Sequence, residues 1–230
     1  MTATLLLDLF PIALLGALLG MDVVTFPQAM ISRPIVAATV AGSFMGNPGG
    51  GMIMGVVLEL LALGMLPFGA SRYPEWGSAS VVGGATYAVH AANLPGALAA
   101  SLLAALVTAL VSGWSMVKLR RLNAAHATRG RDDLEAGSSS AVIGNQLFGL
   151  TADLVRGGLV TFLALLLFRP VVDLLLARWT TNAADSRGVV VAIVAAVSAG
   201  AIWKIFHTVN HARLYLLAGL ATGAAILIIG

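Results

Sequence analysis

One carboxylate stands alone in an apolar stretch of this chain. Glu59 follows a glycine-rich interruption and has aliphatic residues on both sides. An ionised carboxylate in the middle of an apolar membrane helix costs about 3 kcal/mol or more unless a cation, a hydrogen-bonding ligand or a proton stabilises it. Glu59 therefore predicts a binding site for the hydroxyl groups of a sugar or for an ion. A structural hydrogen bond to a neighbouring helix is the alternative.

Four further residues are candidates for ligand binding. Glu75 and Trp76 belong to a short segment that also holds an arginine and a tyrosine. Acids accept hydrogen bonds from sugar hydroxyls, and aromatic faces stack on sugar C–H surfaces, although Trp76 also suits the membrane–water interface. Asp22 and Gln28 lie shortly before an Arg-Pro pair, and we expect them to line the same cavity as Glu59.

The interruption before Glu59 predicts a break between two helical pieces. It is formed by the hairpin residues Gly46, Asn47, Pro48 and Gly51. Proline lacks a backbone donor and glycine has low helix propensity. The apolar pieces 34–45 and 52–66 are each shorter than the roughly 20 residues that cross a bilayer. They predict a broken or re-entrant helical hairpin near residues 34–66, with a simple turn outside the membrane as the alternative.

Other spacings point away from catalysis and metals. Asp153 and Arg156 are three residues apart, on one helix face, and predict an ion pair that eases membrane insertion. His207 and His211 share a helix face, but no third ligand is apparent, so no metal is expected. The chain has no cysteine. We expect no catalytic residue and no cofactor, because no nucleophile–base motif is present.

Composition identifies the class of protein. Hydrophobic residues make up 59% of the 230 residues and charged residues 10%, whereas soluble domains have about 45–50% and 25%. Continuous apolar runs predict an all-α polytopic integral membrane protein with about six to eight membrane elements. The basic residues lie at the ends of apolar runs, as topology requires, so we expect no nucleic acid partner.

The chain is predicted to form a single membrane domain, residues 1–230. One polar segment, residues 118–140, divides it into two lobes. Its five Lys and Arg residues predict a cytoplasmic loop. The first part of this segment is predicted to be a helix that leaves the bilayer.

One stretch resembles a known family. It reads Arg33-Pro34, Gly42, Gly46, Gly51, Gly55, Leu58-Glu59, Gly64, Gly69-Ala70 and Pro74-Glu75. This pattern resembles the membrane subunit IIC of the mannose/sorbose family of the sugar phosphotransferase system. The resemblance covers about forty residues without a gap and thins beyond them.

The resemblance implies a sugar permease subunit of the bacterial inner membrane, not an enzyme. Such a subunit works with a IID membrane subunit and with soluble IIA and IIB phosphocarrier proteins, which phosphorylate the sugar. A higher oligomer surrounded by membrane lipid is expected. Two alternatives stay open: a non-transporting signalling or scaffold subunit of a reduced phosphotransferase system, and an ion-coupled carrier that uses Glu59.

Overall fold

The computed structural model describes residues 3–63, 72–90, 96–180 and 182–229, which form nine helices and no strand. The helices are α1 Ala3–Asp22, α2 Pro34–Phe44, α3 Pro48–Ala62, α4 Trp76–His90, α5 Ala97–Arg129, α6 Arg131–Glu135, α7 Ser139–Ala177, α8 Ala183–Phe206 and α9 Ala212–Ile229. The predicted all-α fold is therefore confirmed for these residues.

Helix α4 is the centre of the bundle. Almost all of its residues are buried, and α1, α2, α3, α5 and α7 pack around it. Its small residues allow this. A Cβ on Gly84 would lie 2.6 Å from the Cα of Ala38, and one on Gly83 would lie 2.8 Å from the Cβ of Ala105. Only glycine permits helices to approach this closely.

The predicted break between two helical pieces is confirmed, but it is shorter than predicted, because Pro48 to Gly51 already belong to the first turn of α3. Helix α2 ends at Phe44 and α3 begins at Pro48, so the interruption is three residues long. The Asn47 side chain accepts a 2.9 Å hydrogen bond from the Gly50 amide and caps α3, while Pro48 occupies the first helical turn, where its missing N–H is not needed. Helices α2 and α3 pack together as an antiparallel hairpin. Whether this hairpin re-enters the membrane stays a prediction.

The polar segment 118–140 is more helical than expected of a loop. Helix α5 continues to Arg129, α6 covers residues 131–135, and α7 begins at Ser139. Residues 118–129 are rich in Leu, Ala, Lys and Arg, which are strong helix formers, so the predicted helix is present. That it leaves the bilayer stays a prediction. Pro170 lies within α7 and does not end it.

Among the residues that the structure describes, three helices are long and apolar enough to cross a membrane: α5, α7 and α8. Several shorter apolar helices accompany them, among them α2, α3 and α9. Helix α8 packs on α3 and α5 at the edge of the bundle, and α9 packs on α8.

Candidate functional site

Buried and half-buried polar residues gather at one end of the bundle, which we call the polar end. This end holds the C-terminus of α1, the segment 23–33, the C-terminus of α3, the N-terminus of α4 and adjoining parts of α5 and α7. Its charged members with assigned partners are Asp22, Arg33, Glu59, Glu75, Asp153 and Arg156. It therefore unites four of the acids singled out from the sequence.

Glu59 pairs with Arg33 at the base of the α2–α3 hairpin. Arg33 Nε donates to Glu59 Oε1 at 2.7 Å, and Arg33 Nη2 donates to the same oxygen. The Ile35 amide, in the first turn of α2, donates to Oε2 at 3.2 Å. The carboxylate is thus held by a guanidinium and by the positive end of a helix. The Glu59 side chain is 15% exposed and that of Arg33 50%, so a ligand can reach the pair.

Asp22 organises the segment between α1 and α2. Its Oδ1 accepts a hydrogen bond from the Ala29 amide at 2.7 Å, and its Oδ2 accepts two from Ser32, at 2.9 and 2.8 Å. Asp22 itself is 1% exposed. Gln28 is exposed, with φ of 60°, and its side chain donates to the Val24 carbonyl. Asp22 thus shapes the segment that carries Gln28 and leads into Arg33.

Glu75 is the N-cap of α4. Its Oε1 accepts hydrogen bonds from the amides of Gly77, at 2.6 Å, and Ser78, at 3.2 Å. The Ser112 hydroxyl of α5 donates to its Oε2 at 2.7 Å. A carboxylate in this position satisfies the unpaired amides of the first helical turn. Glu75 is fully buried, so its carboxylate serves the protein in this conformation.

A hydrogen-bonded chain continues from Glu75 to the segment 23–33. Arg156 Nη1 donates to Ser112 Oγ at 2.9 Å, and Arg156 Nε donates to Asp153 Oδ1 at 2.9 Å. The Thr25 hydroxyl donates to the other oxygen of Asp153. The predicted Asp153–Arg156 ion pair is therefore present, and it connects α4, α5 and α7 to the segment after α1.

The two aromatic residues of this region pack differently. Trp76 is half-buried and packs on a core cluster that includes Leu58 and Tyr87. Tyr73 lies beside Arg120, whose Nη2 donates to the phenolic oxygen at 2.5 Å. Burial raises the pKa of Tyr73, so the phenol stays neutral at physiological pH. Neither ring is arranged as an open stacking platform.

Sequence reasoning missed Thr25, Ser112 and Ser115 as partners of the charged residues. Hydroxyl side chains inside apolar helices give no signal until the packing of α5 against α7 is known. His90, at the opposite end of α4, was also not predicted to have a polar partner. Its Nε2 lies 2.7 Å from Asp173 Oδ1 on α7, and its Nδ1 lies 2.8 Å from the Thr86 carbonyl.

Within the described parts of the chain, no three His, Asp or Glu side chains converge as metal ligands do. The polar end instead offers hydrogen-bond donors and acceptors. That chemistry suits an uncharged polyhydroxyl ligand better than a metal ion.

The family comparison identifies the class of protein. The family model of the sorbose-specific IIC component of the phosphotransferase system matches residues 6–228. The chain belongs to this family. IIC components are transport subunits of a sugar phosphotransferase system, and this one is a multi-pass membrane protein with several apolar helices.

Two curated relatives of this IIC chain are sorbose-specific EIIC components. The one from Lacticaseibacillus casei is 40% identical over 50 residues, which cover 22% of this chain and 18% of the relative. The one from Klebsiella pneumoniae is 33% identical over 76 residues, which cover 33% of this chain and 28% of the relative. The matched segments thus span less than a third of either relative.

Two solved structures share the fold of this IIC chain. A chain described as a membrane protein aligns with a TM-score of 0.68 and 19% identity, over 97% of this chain and 87% of its own. A chain in the cryo-EM structure of the mannose transporter ManYZ with microcin E492 aligns with a TM-score of 0.61 and 20% identity, over 100% of this chain and 96% of its own. These similarities show that this chain has the same fold as the two solved chains.

Proposed function

We propose that this chain is the sugar permease subunit of a mannose-type phosphotransferase system in the bacterial inner membrane. It carries a hexose or related sugar inward together with a IID membrane subunit. Soluble IIA and IIB proteins phosphorylate the sugar on the cytoplasmic side. The observation that carries the proposal is the partly exposed Glu59–Arg33 pair in a chain of the IIC family.

The Glu59–Arg33 pair is the proposed contact for sugar. A carboxylate offers about four lone-pair positions, and the guanidinium and the Ile35 amide occupy three of them. A sugar hydroxyl can donate to Glu59 Oε2 while a second hydroxyl accepts from the half-exposed guanidinium. Bonds to charged groups are about twice as strong as neutral ones, which favours a polyhydroxyl ligand over water.

The other predicted binding residues are proposed to act around this pair. Gln28 is exposed on the neighbouring segment and is proposed to reach the sugar. Asp22 and Glu75 are buried and already accept hydrogen bonds from the protein, so we assign them the positioning of the segment 23–33 and of α4. Trp76 fixes the start of α4 through its packing. Any direct sugar contact of these three requires the polar end to open.

Transport should be measured in cells that lack other permeases for the tested sugar. The chain is expressed with its IID, IIA and IIB partners, and uptake of radiolabelled sorbose and mannose is followed as sugar phosphate. We expect accumulation that requires IIB, and Glu59→Gln should reduce sugar binding to the IIC–IID complex at least tenfold, about 1.4 kcal/mol. Glu135→Gln is the matched control, because Glu135 is exposed on α6.

The outcomes separate the proposal from its alternatives. Uptake that follows a pH gradient and does not require IIB would identify an ion-coupled carrier instead. An assembled complex that neither binds nor takes up sugar would favour a signalling or scaffold subunit. Normal uptake with equal sugar affinity in Glu59→Gln and the native protein would keep the permease function and remove Glu59 from the site.

A further inference from the structure

Helices α5 and α7 border a groove of about 690 Å³, which we call the α5–α7 groove. Most of its lining is apolar, and Val155 and Leu159 are more than half exposed. The polar side chains in the lining are Ser115, Lys118, Thr151 and Arg156. The groove is separate from the proposed sugar contact, although Arg156 borders both the groove and the buried network of the polar end.

The polar residues of the groove lie at the level where two apolar spans end. On α5, Lys118 is the first charged residue after the uncharged stretch 94–117. On α7, Arg156 is the last charged residue before the uncharged stretch 157–168. Arg156 Nη1 donates to Ser115 Oγ at 3.2 Å, which places both transitions at the same depth. The groove therefore passes from hydrocarbon to the headgroup region beside two cations.

Lys118 is the charge that a ligand of the groove can use. Its ammonium lies 5.2 Å from the ring centroid of Trp114, one turn nearer the apolar span, and among the described residues it has no acidic partner. The charge of Arg156, by contrast, is balanced by Asp153. A cation without an acidic partner at the membrane surface attracts an anion, and a basic recess between membrane helices suits an anionic lipid headgroup.

We propose that the α5–α7 groove is a binding site for an anionic glycerophospholipid. The phosphate lies near the Lys118 ammonium, on the side of the groove that Thr151 also lines. An acyl chain lies along Val155 and Leu159. Charge selects the headgroup and the apolar wall accepts the chain, so zwitterionic lipids enter the groove less readily.

Trp114 provides a reporter beside the site. The IIC–IID complex is placed in mixed micelles with brominated phosphatidylglycerol or brominated phosphatidylcholine, and the quenching of tryptophan fluorescence is measured. The part of the quenching that is absent from Trp114→Phe is the signal of Trp114. Brominated phosphatidylglycerol should quench this signal at a mole fraction about fivefold lower than the one brominated phosphatidylcholine requires. Lys118→Gln should abolish that preference, since one cation near the membrane surface contributes about 1 kcal/mol. Arg129→Gln, which removes an exposed cation at the end of α5, should retain it.

The apolar wall is tested by native mass spectrometry of the purified complex. Leu159→Trp fills the groove and should lose retained phosphatidylglycerol, whereas Leu167→Trp changes an equally exposed leucine on α7 outside the groove and should keep it. Equal quenching by the two lipids would overturn the proposal. So would an equal loss of the preference for phosphatidylglycerol in Lys118→Gln and Arg129→Gln. Quenching of Trp114 in the chain alone but not in the complex would show that the partner subunit, and no lipid, occupies the groove.

Discussion

Arg33 and Glu59, 26 residues apart in the chain, meet at the base of the α2–α3 hairpin, with 2.7 Å between Arg33 Nε and Glu59 Oε1. The pair joins the start of α2 to the end of α3. It also lies where the N-terminal amides of α2 favour negative charge. The position of the Glu59 carboxylate therefore depends on Arg33.

Arg33→Gln should weaken sugar binding to the IIC–IID complex about tenfold, as Glu59→Gln does. If the two side chains act as one unit, the double variant should bind sugar no more weakly than either single variant. Calorimetric titration of the purified complex measures all three affinities. Arg131→Gln, from an exposed pair on α6, is the control. If the losses of sugar affinity in the two single variants multiply in the double variant, the two side chains do not form a shared site.

Glu75→Ala should destabilise the protein by about 2 kcal/mol, because the amides of Gly77 and Ser78 and the Ser112 hydroxyl lose their acceptor. Glu75→Gln keeps one acceptor oxygen and should be milder. Thermal unfolding of the purified complex in detergent gives the order of stability. Unchanged stability combined with weaker sugar binding would place Glu75 in the sugar site instead.

Arg156→Met should cost about 3–5 kcal/mol, because it leaves the buried Asp153 carboxylate without its cation. The double variant Asp153→Leu/Arg156→Met should recover part of that loss, since neither charge then remains buried. The yield of folded protein and its thermal unfolding report both effects. Arg131→Gln breaks an exposed pair and should change stability by less than about 1 kcal/mol. Single variants that fold normally but fail to take up sugar would contradict the structural assignment.

The sequence could predict features that depend on near neighbours in the chain. Pro48 and its glycines predicted the helix break, and the three-residue spacing predicted the Asp153–Arg156 pair. Partners far apart in the chain could not be predicted. The contact between Ser112 and Glu75 requires α5 to pack beside the start of α4, and no local pattern encodes that packing.

Burial also determined how the candidate acids are used. Glu59 lies within an apolar stretch and Glu75 follows Arg72, Tyr73 and Pro74, but the sequence gives no measure of exposure for either. In the folded chain Glu75 has no exposed surface, whereas Glu59 stays partly accessible beside Arg33. The first part of the polar segment 118–140 was predicted to be helical, and its high helix propensity extends α5 to Arg129.

Gly51→Ala should destabilise the hairpin, whereas Gly49→Ala two residues away should not. A Cβ on Gly51 would lie 2.9 Å from the Cα of Gly42 and closer still to the Ala38 carbonyl oxygen, and backbone cannot move aside cheaply. A Cβ on Gly49 would meet only Asn47 Oδ1, at 3.8 Å. Because alanine has the higher helix propensity, Gly49→Ala should be neutral or stabilising by up to about 1 kcal/mol. Similar thermal unfolding of both variants would contradict the close α2–α3 packing.

Ser139→Cys tests the proposed cytoplasmic position of the segment 118–140. The chain contains no cysteine, so a single introduced thiol gives a clean signal. Ser139 is exposed at the start of α7, and Thr180 is exposed beyond its end. Because α7 is long and apolar enough to cross the membrane, the two positions should lie on opposite sides. The five cations of the segment keep Ser139 inside.

A membrane-impermeant maleimide should therefore label Thr180→Cys but not Ser139→Cys in intact spheroplasts, and the reverse in inverted vesicles. Rapid labelling of Ser139→Cys from outside would reverse the topology and place the polar end on the external face.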